Sequence, residues 1–524
     1  MNREIELKLS VSPRVANHVL HLPWLRALSA GPPKRHALRT VYFDTRKFKL
    51  HDRGVLLRVR RTGRQYLQSI KAEGSGEYGP LERGEWEYEL PGAAPDLKLA
   101  KGTALAPFAT KKLKRKLKPL FETIVERTTF PIHADGADLE IAVDRGEIRA
   151  RGIRRREAIS EIEIEVKDGD PFELPRIADR LARSLAVAYG PRSKGERGFA
   201  LTCKKPDAPV ESAEILLNPR TTAGDGFQVI GFSCLHHALA NERAVRRGDA
   251  EGVHQMRVGL RRLRAAISVF KEILQGPETE AVKRELKWLT EQLGPARDLD
   301  VLIAGQVRPL HDAPAVAADA DVLERDLEAQ RKMGIRRARE AVDSDRFRAI
   351  GLQVALWLTC GAWSYRETPS VKKCREMAID EFAAGVLAKR RKQVLRKMRK
   401  IEQLDPHARH KLRIAVKKLR YACEFFETVF GGGRRDTRRK RFCKTLKGLQ
   451  GHLGTLNDIE VHKQFARAIA RSGDGISRAR EALVMGFITG QEAKQTASCV
   501  ASVKEAAAKL DKLPTYWKMG TNPD

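Results

Sequence analysis

The sequence predicts a two-part α+β chain, an antiparallel sheet region followed by a helical bundle. Polar and apolar residues alternate with period two in short runs at 4–9, 57–60, 85–90 and 161–166, and the period becomes helical from about residue 226. Between these regions lies KKPDAPVESAEILLNPRTTAGD, weakly periodic and carrying Pro, Gly and Asp, as a linker does. The expected organisation is a sheet domain at 1–203, a linker at 204–225, a helical domain at 226–512 and a tail at 513–524. A chain of 524 residues has room for two such cores.

In the first region, EIELKL places Glu4, Glu6 and Lys8 on one face of a strand and Ile5, Leu7 and Leu9 on the other. SEIEIEV repeats the pattern with Glu161, Glu163 and Glu165, and RGEWEYEL does so with Arg83, Glu85, Glu87 and Glu89. Arg58 and Arg60 make the corresponding face of another strand cationic. One such strand is ordinarily the solvent face of a sheet. Three strands with Glu at successive same-face positions are different, because adjacent carboxylates repel unless a cation lies among them. A hard divalent metal supplies that cation, and cationic strands lining the same space would hold phosphates.

The helical region contains a repeat. His254, Arg257, Arg261, Arg262, Leu263 and Arg264 recur at the same offsets as His410, Arg413, Lys417, Lys418, Leu419 and Arg420. Downstream, Leu293, Gly294, Arg297, Asp298 and Val301 recur as Leu453, Gly454, Asn457, Asp458 and Val461. Two motifs in the same order predict a duplicated helical unit, with halves of about 226–345 and 346–512 related by a pseudo-two-fold axis. Helical spacing gathers His254, Arg257, Arg261 and Arg264 in one sector opposite Met256, Leu260, Leu263 and Ile267, and the second copy does likewise. Rows of cations kept in register with a His suit successive phosphate oxygens better than they suit mere solubility. Asp298 and Asp458 are expected to cap or orient these helices.

With 99 Lys and Arg against 67 Asp and Glu, the net charge is +32, a field that concentrates polyanions. The 6% aromatic content provides few stacking platforms for single-stranded nucleic acid. Seven Cys without a CxxC pair indicate neither a disulfide framework nor a zinc ribbon, and point to a reducing, cytoplasmic setting. The charged N-terminus is unlike a signal peptide, and no apolar run is long enough for a membrane span.

ExExK at the start, LRTVYFDT at 38–45, LRVR at 57–60, Lys71, the E-W-E run, Asp144, SEIEIEV and SKGERG at 193–198 resemble, in order, the motifs of the CYTH family of triphosphate tunnel metalloenzymes. The resemblance spans nearly all of the first 200 residues. It implies a closed antiparallel eight-stranded β-barrel, a tunnel with flanking helices and a polar interior. Carried over by motif, Glu4, Glu6, Asp144, Glu161 and Glu163 would hold Mg²⁺ or Mn²⁺. Lys8, Arg39, Arg58, Arg60, Lys71, Arg83, Arg127 and Lys194 would clamp a triphosphate. Glu85 and Glu87 would serve a second metal or the attacking water, alongside Glu4, Glu6 and Lys8 in the catalytic group.

The two H-x-x-R-x-x-x-[RK]-[RK]-L-R copies and the two LG-x-x-[RN]-D copies resemble the CHAD domain, a helical domain found after CYTH domains in many bacterial proteins. That resemblance, over roughly 226–510, implies two four-helix units around a basic pore or groove. His254, Arg257, Arg261, Arg262, Arg264, His410, Arg413, Lys417, Lys418 and Arg420 would bind inorganic polyphosphate there. The expected activity is metal-dependent hydrolysis of inorganic triphosphate to pyrophosphate and phosphate, beside a polyphosphate-binding module, in the cytoplasm or at polyphosphate granules. The alternatives are a catalytically idle polyphosphate scaffold and an RNA-binding protein; no membrane partner is expected.

Overall fold

The computed structural model describes residues 2–72, 82–170, 172–203, 208–399, 401–471 and 475–517; the side chains of Glu4 and Arg83 lie outside the described set. The chain divides into two compact units. The first comprises Met1–Glu211 together with Leu235–Ala244 and Val342–Tyr365, and the second Ser212–Cys234, Val245–Ala341 and Arg366–Asp524.

The first unit is built on one antiparallel sheet of nine strands: β1 (Asn2–Ser10), β2 (Lys34–Asp44), β3 (Val55–Thr62), β4 (Gln65–Ala72), β5 (Glu82–Leu90), β6 (Lys118–Ala134), β7 (Ala137–Ala150), β8 (Arg156–Asp168) and β9 (Ala188–Tyr189). Their order is β5-β4-β3-β2-β6-β7-β8-β1-β9. Tight hairpins set much of it. Between β6 and β7, Asp135 and Gly136 both take positive φ, 41° and 82°, as a two-residue hairpin turn requires.

The expected eight-stranded, fully closed barrel is not what forms. One edge of β1 pairs with β8 from Ile5 to Ser10. Its other edge meets β5 only over Asn2–Ile5, and then β9 at Leu9–Ser10. Among the described residues no strand pairs with that edge at Glu6–Lys8, so the ladder is interrupted. The ninth strand, which follows the helix Glu173–Ser184 and is two residues long, takes the place a longer β5 partner would need.

Alternation decides which face of the sheet is covered. Leu7, Leu9, Ile141, Ile162 and Ile164 are at most 1% exposed. Helices Pro13–Val19 and Glu173–Ser184 pack on β1, β7 and β8, the second burying Leu174, Ile177, Ala178 and Leu181 at helical spacing. Each fully buried aliphatic side chain contributes roughly 1.5–3 kcal/mol. The charged alternate positions are thereby left on the concave side.

That concave side is filled at one end by helix α1 (Lys194–Thr202), whose Phe199 and Leu201 join Tyr42, Leu56, Phe121, Ile148 and Ile159 in an apolar cluster. Gly198 makes this possible: a Cβ there would lie 2.0 Å from the Phe121 ring. The helix starts in a capping box, Ser193 with Glu196, which fixes the direction in which Lys194 leaves the turn.

The second unit is helical. Helix α2 (Ala223–Ala240) starts in this unit and runs on into the Leu235–Ala244 stretch of the first, which also holds most of α3 (Glu242–Arg246); the chain then continues into α4 (Ala250–Val269) and α5 (Pro277–Leu302), the pair bearing the first copy of the repeat. Later, α6 (Pro406–Phe425) and α7 (Gly433–Arg471) bear the second copy, and α8 (Ile476–Lys512) packs along α7. Helix α4 packs on α5, α6 on α7, and α4 against α6. The apolar stripes are core: Met256, Leu260, Leu263 and Ile267 of α4, with Leu412, Val416, Leu419 and Cys423 of α6, are at most 2% exposed. Among the described residues no helix is long and apolar enough to cross a membrane.

Candidate active site

The strands of the first unit deliver their same-face charges into one cavity of about 220 Å³. Glu6 and Lys8 come from β1, Arg58 and Arg60 from β3, Lys71 from β4, Glu85 and Glu87 from β5, Arg127 from β6, Asp144 from β7, Glu163 from β8 and Lys194 from α1. Register makes these neighbours: Lys8 stands opposite Glu163, Asp144 opposite Glu161, and Arg127 opposite Asp144.

Asp144, Glu161 and Glu163 are 0%, 3% and 9% exposed, and each offers an oxygen within 4.8 Å of the others. Three buried carboxylates at that separation require positive charge. Lys194 Nζ lies 2.6 Å from Asp144 and 2.9 Å from Glu163, and also pairs with Glu161. Arg127 donates to both oxygens of Asp144 at 2.7 and 2.6 Å and reaches Glu163 as well. Burial alone would raise the Glu163 carboxyl, but Lys194, Arg127 and Lys8 hold it well below the usual range. Burial would likewise lower the Lys194 ammonium; Asp144, Glu161 and Glu163 raise it instead.

This group fits a divalent cation. The donors are all carboxylate oxygens, with no Cys or His among them, which matches a hard ion such as Mg²⁺ or Mn²⁺. The positive charge they require now comes from two side chains that are themselves good phosphate ligands. Glu6 lies just outside the group, paired with Lys8 at 2.5 Å.

A second, cationic part of the cavity is formed by Arg58, Lys71 and Arg60. Glu85 is held by Arg58 at 2.9 Å and Lys71 at 2.8 Å, and Glu87 accepts from Ser69 at 2.7 Å. Arg60 makes no ion pair among the described residues, and Arg58, burial and Arg127 pull its pKa down. A half-buried guanidinium crowded by two others is suited to an anion.

Arg39 does not reach the cavity. Leu38, Thr40 and Tyr42 line it, so Arg39 has the opposite parity; it is exposed and bonds Glu122 at 3.0 Å. A further participant, which the sequence motifs do not single out, is Arg197, which donates to Glu161 at 2.8 Å. The sequence does carry a signal for it, since Arg197 follows Lys194 by three helical residues within SKGERG and must share its side of α1.

In the second unit the two basic stripes meet. His254 is lowered by burial and then by Arg297, with Arg261 and Arg257 also close. Arg261 of the first copy is in turn a cationic neighbour of Arg413 and Lys417 of the second. Burial, with Arg413 and Arg261 beside it, pulls the Lys417 ammonium down to about 8. Arg264 is exposed, Arg420 bonds Gln450 at 2.7 Å, and His410 shares a bond of 2.8 Å with Asn457.

Two of the expected phosphate ligands leave this face. Arg262 is 2% exposed and bonds Glu424 at 2.8 Å, because it falls between the apolar stripe and the α4–α6 contact. Lys418, its counterpart, has Arg390 and Lys271 as cationic neighbours instead of Arg413 and Arg261. Asp298 caps no helix: it lies inside α5 and accepts from Arg257 at 3.4 Å, orienting that side chain.

Fold and charge together define a protein of two modules, and the comparisons assign each a domain family. Residues 2–215 match the CYTH domain family and residues 230–467 the CHAD domain family, so the chain combines a CYTH domain with a CHAD domain. An inorganic triphosphatase of Haemophilus influenzae is 28% identical over 207 residues, 39% of this chain and 56% of that protein. An uncharacterized Mycobacterium tuberculosis protein, Rv2226, is 26% identical over 371 residues, 67% of this chain and 64% of that protein. The matches thus span under two thirds of these relatives' lengths. Among solved structures, the CHAD domain of the plant Ricinus communis is 26% identical, with a TM-score of 0.48, covering 59% of this chain and 99% of that one.

Proposed function

We propose that the first unit hydrolyses inorganic triphosphate to pyrophosphate and phosphate, and that the second binds inorganic polyphosphate. The single observation carrying the first half is the convergence, around one cavity of about 220 Å³, of a three-carboxylate group, the half-buried Arg60 guanidinium that crowds two others, and several further cations. This volume lies below the roughly 300–1,000 Å³ of ordinary organic-ligand pockets and suits a bare phosphate chain better than a nucleotide. The β1–β5 ladder supports reading the strands as the wall of a tunnel despite its gap. The modules are assigned to 1–203 and 226–512, in a protein of the cytoplasm or of polyphosphate granules.

Asp144, Glu161 and Glu163, with Glu6, are assigned the divalent cation, which when bound would neutralise phosphate charge and lower the pKa of water; the expectation for Glu4 falls outside the described side chains. Lys194 and Arg127, which line the cavity beside these carboxylates, would also serve phosphate oxygens. Arg58 and Arg60 bind by planar forked bonds, Lys71 and Lys8 as point charges. Glu85 holds Arg58 and Lys71 in register, and Glu85 and Glu87 are assigned to a second metal or to positioning the attacking water, since phosphoryl transfer depends chiefly on alignment and charge stabilisation.

The test is phosphate release from inorganic triphosphate by the full chain with Mg²⁺ or Mn²⁺, beside Glu163→Gln. Metal-dependent turnover lost in the variant is expected; its absence in the unsubstituted chain would leave a scaffold. For the second unit, labelled long-chain polyphosphate is competed against single-stranded and duplex RNA. Preferential displacement by RNA sinks the polyphosphate assignment.

A further inference from the structure

The structure assigns Arg197 and Arg243 a shared role as positioning residues that fix Glu161 for the divalent cation, an inference that rests on the reading of the cavity just given. Glu161 has two oxygens with different fates. One pairs with Lys194 inside the carboxylate group, and the other accepts from Arg197 at 2.8 Å. Arg197 is itself held. Its Nε donates to Glu157 at 2.8 Å, and its remaining nitrogen donates to the Ala158 carbonyl at 2.5 Å.

Glu157 is the next link. Arg243 of α3 grips both its oxygens, at 2.9 and 2.5 Å, in a forked pair. Glu157 is buried enough that burial would raise its carboxyl, yet Arg243 and Arg197 lower it. The series Arg243, Glu157, Arg197, Glu161 therefore alternates in charge and leads from a half-exposed side chain to a buried carboxylate 3% exposed. Groups that hydrogen-bond a metal-binding carboxylate hold it in place and set its basicity. Arg197 does this for Glu161 directly; Arg243 does it by keeping Glu157, and so Arg197, in place.

Arg243 lies outside the 2–215 stretch that matches the CYTH family and inside the 230–467 stretch that matches the CHAD family, although it belongs to the first compact unit. The catalytic module therefore draws one of its supports from sequence credited to the other module.

The experiment measures Mn²⁺ affinity by calorimetry on the full chain without substrate, for Arg197→Gln, Arg243→Gln, Arg243→Lys and the Arg197→Gln/Arg243→Gln double variant. Thermal unfolding of each is recorded, and kcat and KM for triphosphate at saturating Mn²⁺. Arg197→Gln is expected to weaken Mn²⁺ binding about 10–100-fold. Arg243→Gln should act in the same direction but less, Arg243→Lys should recover part of the loss, and the double variant should be no worse than Arg197→Gln alone. Because metal placement is affected, kcat should fall more than KM rises. Unchanged Mn²⁺ affinity in Arg243→Gln, with the unsubstituted chain binding normally, overturns this inference alone, as does a double variant whose losses simply add. No Mn²⁺ binding by the unsubstituted chain overturns the cation site and this inference with it.

Discussion

Lys8 of β1 stands directly across the ladder from Glu163 of β8, its ammonium 3.6 Å from the carboxylate and 2.5 Å from Glu6 on its own strand. A single lysine thus joins the ExExK strand to the three-carboxylate group. The concave face is a continuous network in which nearly every acid has a cation, while Arg60, among the described residues, has no acid paired with it.

Lys194→Met is expected to reveal the cation requirement. Removing the ammonium that touches three buried carboxylates leaves them short of charge, a loss of about 3–5 kcal/mol. Mn²⁺ should then raise the Tm of the variant by more than that of the parent. The sign with pH follows from Glu163, whose folded pKa is depressed. Its stabilisation is full above the ordinary carboxylate value of about 4.3 and disappears as pH falls through the depressed value, so acid unfolding should move to higher pH in Lys194→Met. A metal-free variant as stable as the parent would show that the carboxylates need no cation there.

Arg60→Ala and Arg39→Ala separate the two faces of the sheet. Arg60 is a cavity cation without an ion-pair partner among the described residues, and its loss should lower kcat/KM for triphosphate by roughly 10²–10³-fold. Arg39→Ala breaks only a bond to Glu122 and should leave turnover near the parent value. Equal losses in steady-state assays would show that the face assignment is mistaken.

That contrast also marks what the sequence can reveal. Same-face alternation identifies Glu6, Lys8, Arg58, Arg60, Glu161 and Glu163 because a strand's period is two and needs no tertiary knowledge. Arg39 falls on the other face because its parity differs from that of Thr40 and Tyr42, a distinction that a family motif does not register. Arg262 and Lys418 sit beside the basic stripe on their helices, and only the packing of α4 on α6 decides which side of the boundary they take. The β1–β5 gap, and the reach of Arg243 to Glu157, depend on contacts between segments more than 75 residues apart, which no local period encodes.

Gly198→Ala should destabilise through space alone. Its Cβ would fall 2.0 Å from one ring carbon of Phe121 and 2.2 Å from another, inside the apolar end of the sheet. Ring and helix must separate, at about 1–3 kcal/mol. Because α1 also carries Lys194 and Arg197, the variant should lose kcat as well as Tm. Unaltered thermal unfolding would show that α1 does not seat this closely.

Polyphosphate binding by the second unit should weaken as pH rises through about 8. Lys417 is lowered to about 8 by burial and by Arg413 and Arg261, so in the free protein it loses its proton there. A bound polyanion favours the charged ammonium and raises its pKa, so binding takes up a proton wherever the free lysine is already neutral. Affinity is accordingly constant well below pH 8 and falls above it, by up to about tenfold per pH unit from this group. The sign for folding is opposite: a base with a lowered folded pKa costs stability below about 8 and recovers it as pH rises toward the ordinary lysine value of about 10.4. Weaker binding at high pH therefore cannot be ascribed to unfolding. Lys417→Arg, whose guanidinium stays charged throughout, should flatten the profile between about pH 7 and 9. Polyphosphate affinities across that range, at fixed ionic strength because every polyanion contact is screened by salt, check the prediction. A slope that persists in Lys417→Arg would move the titration to another group and take Lys417 out of the phosphate contact.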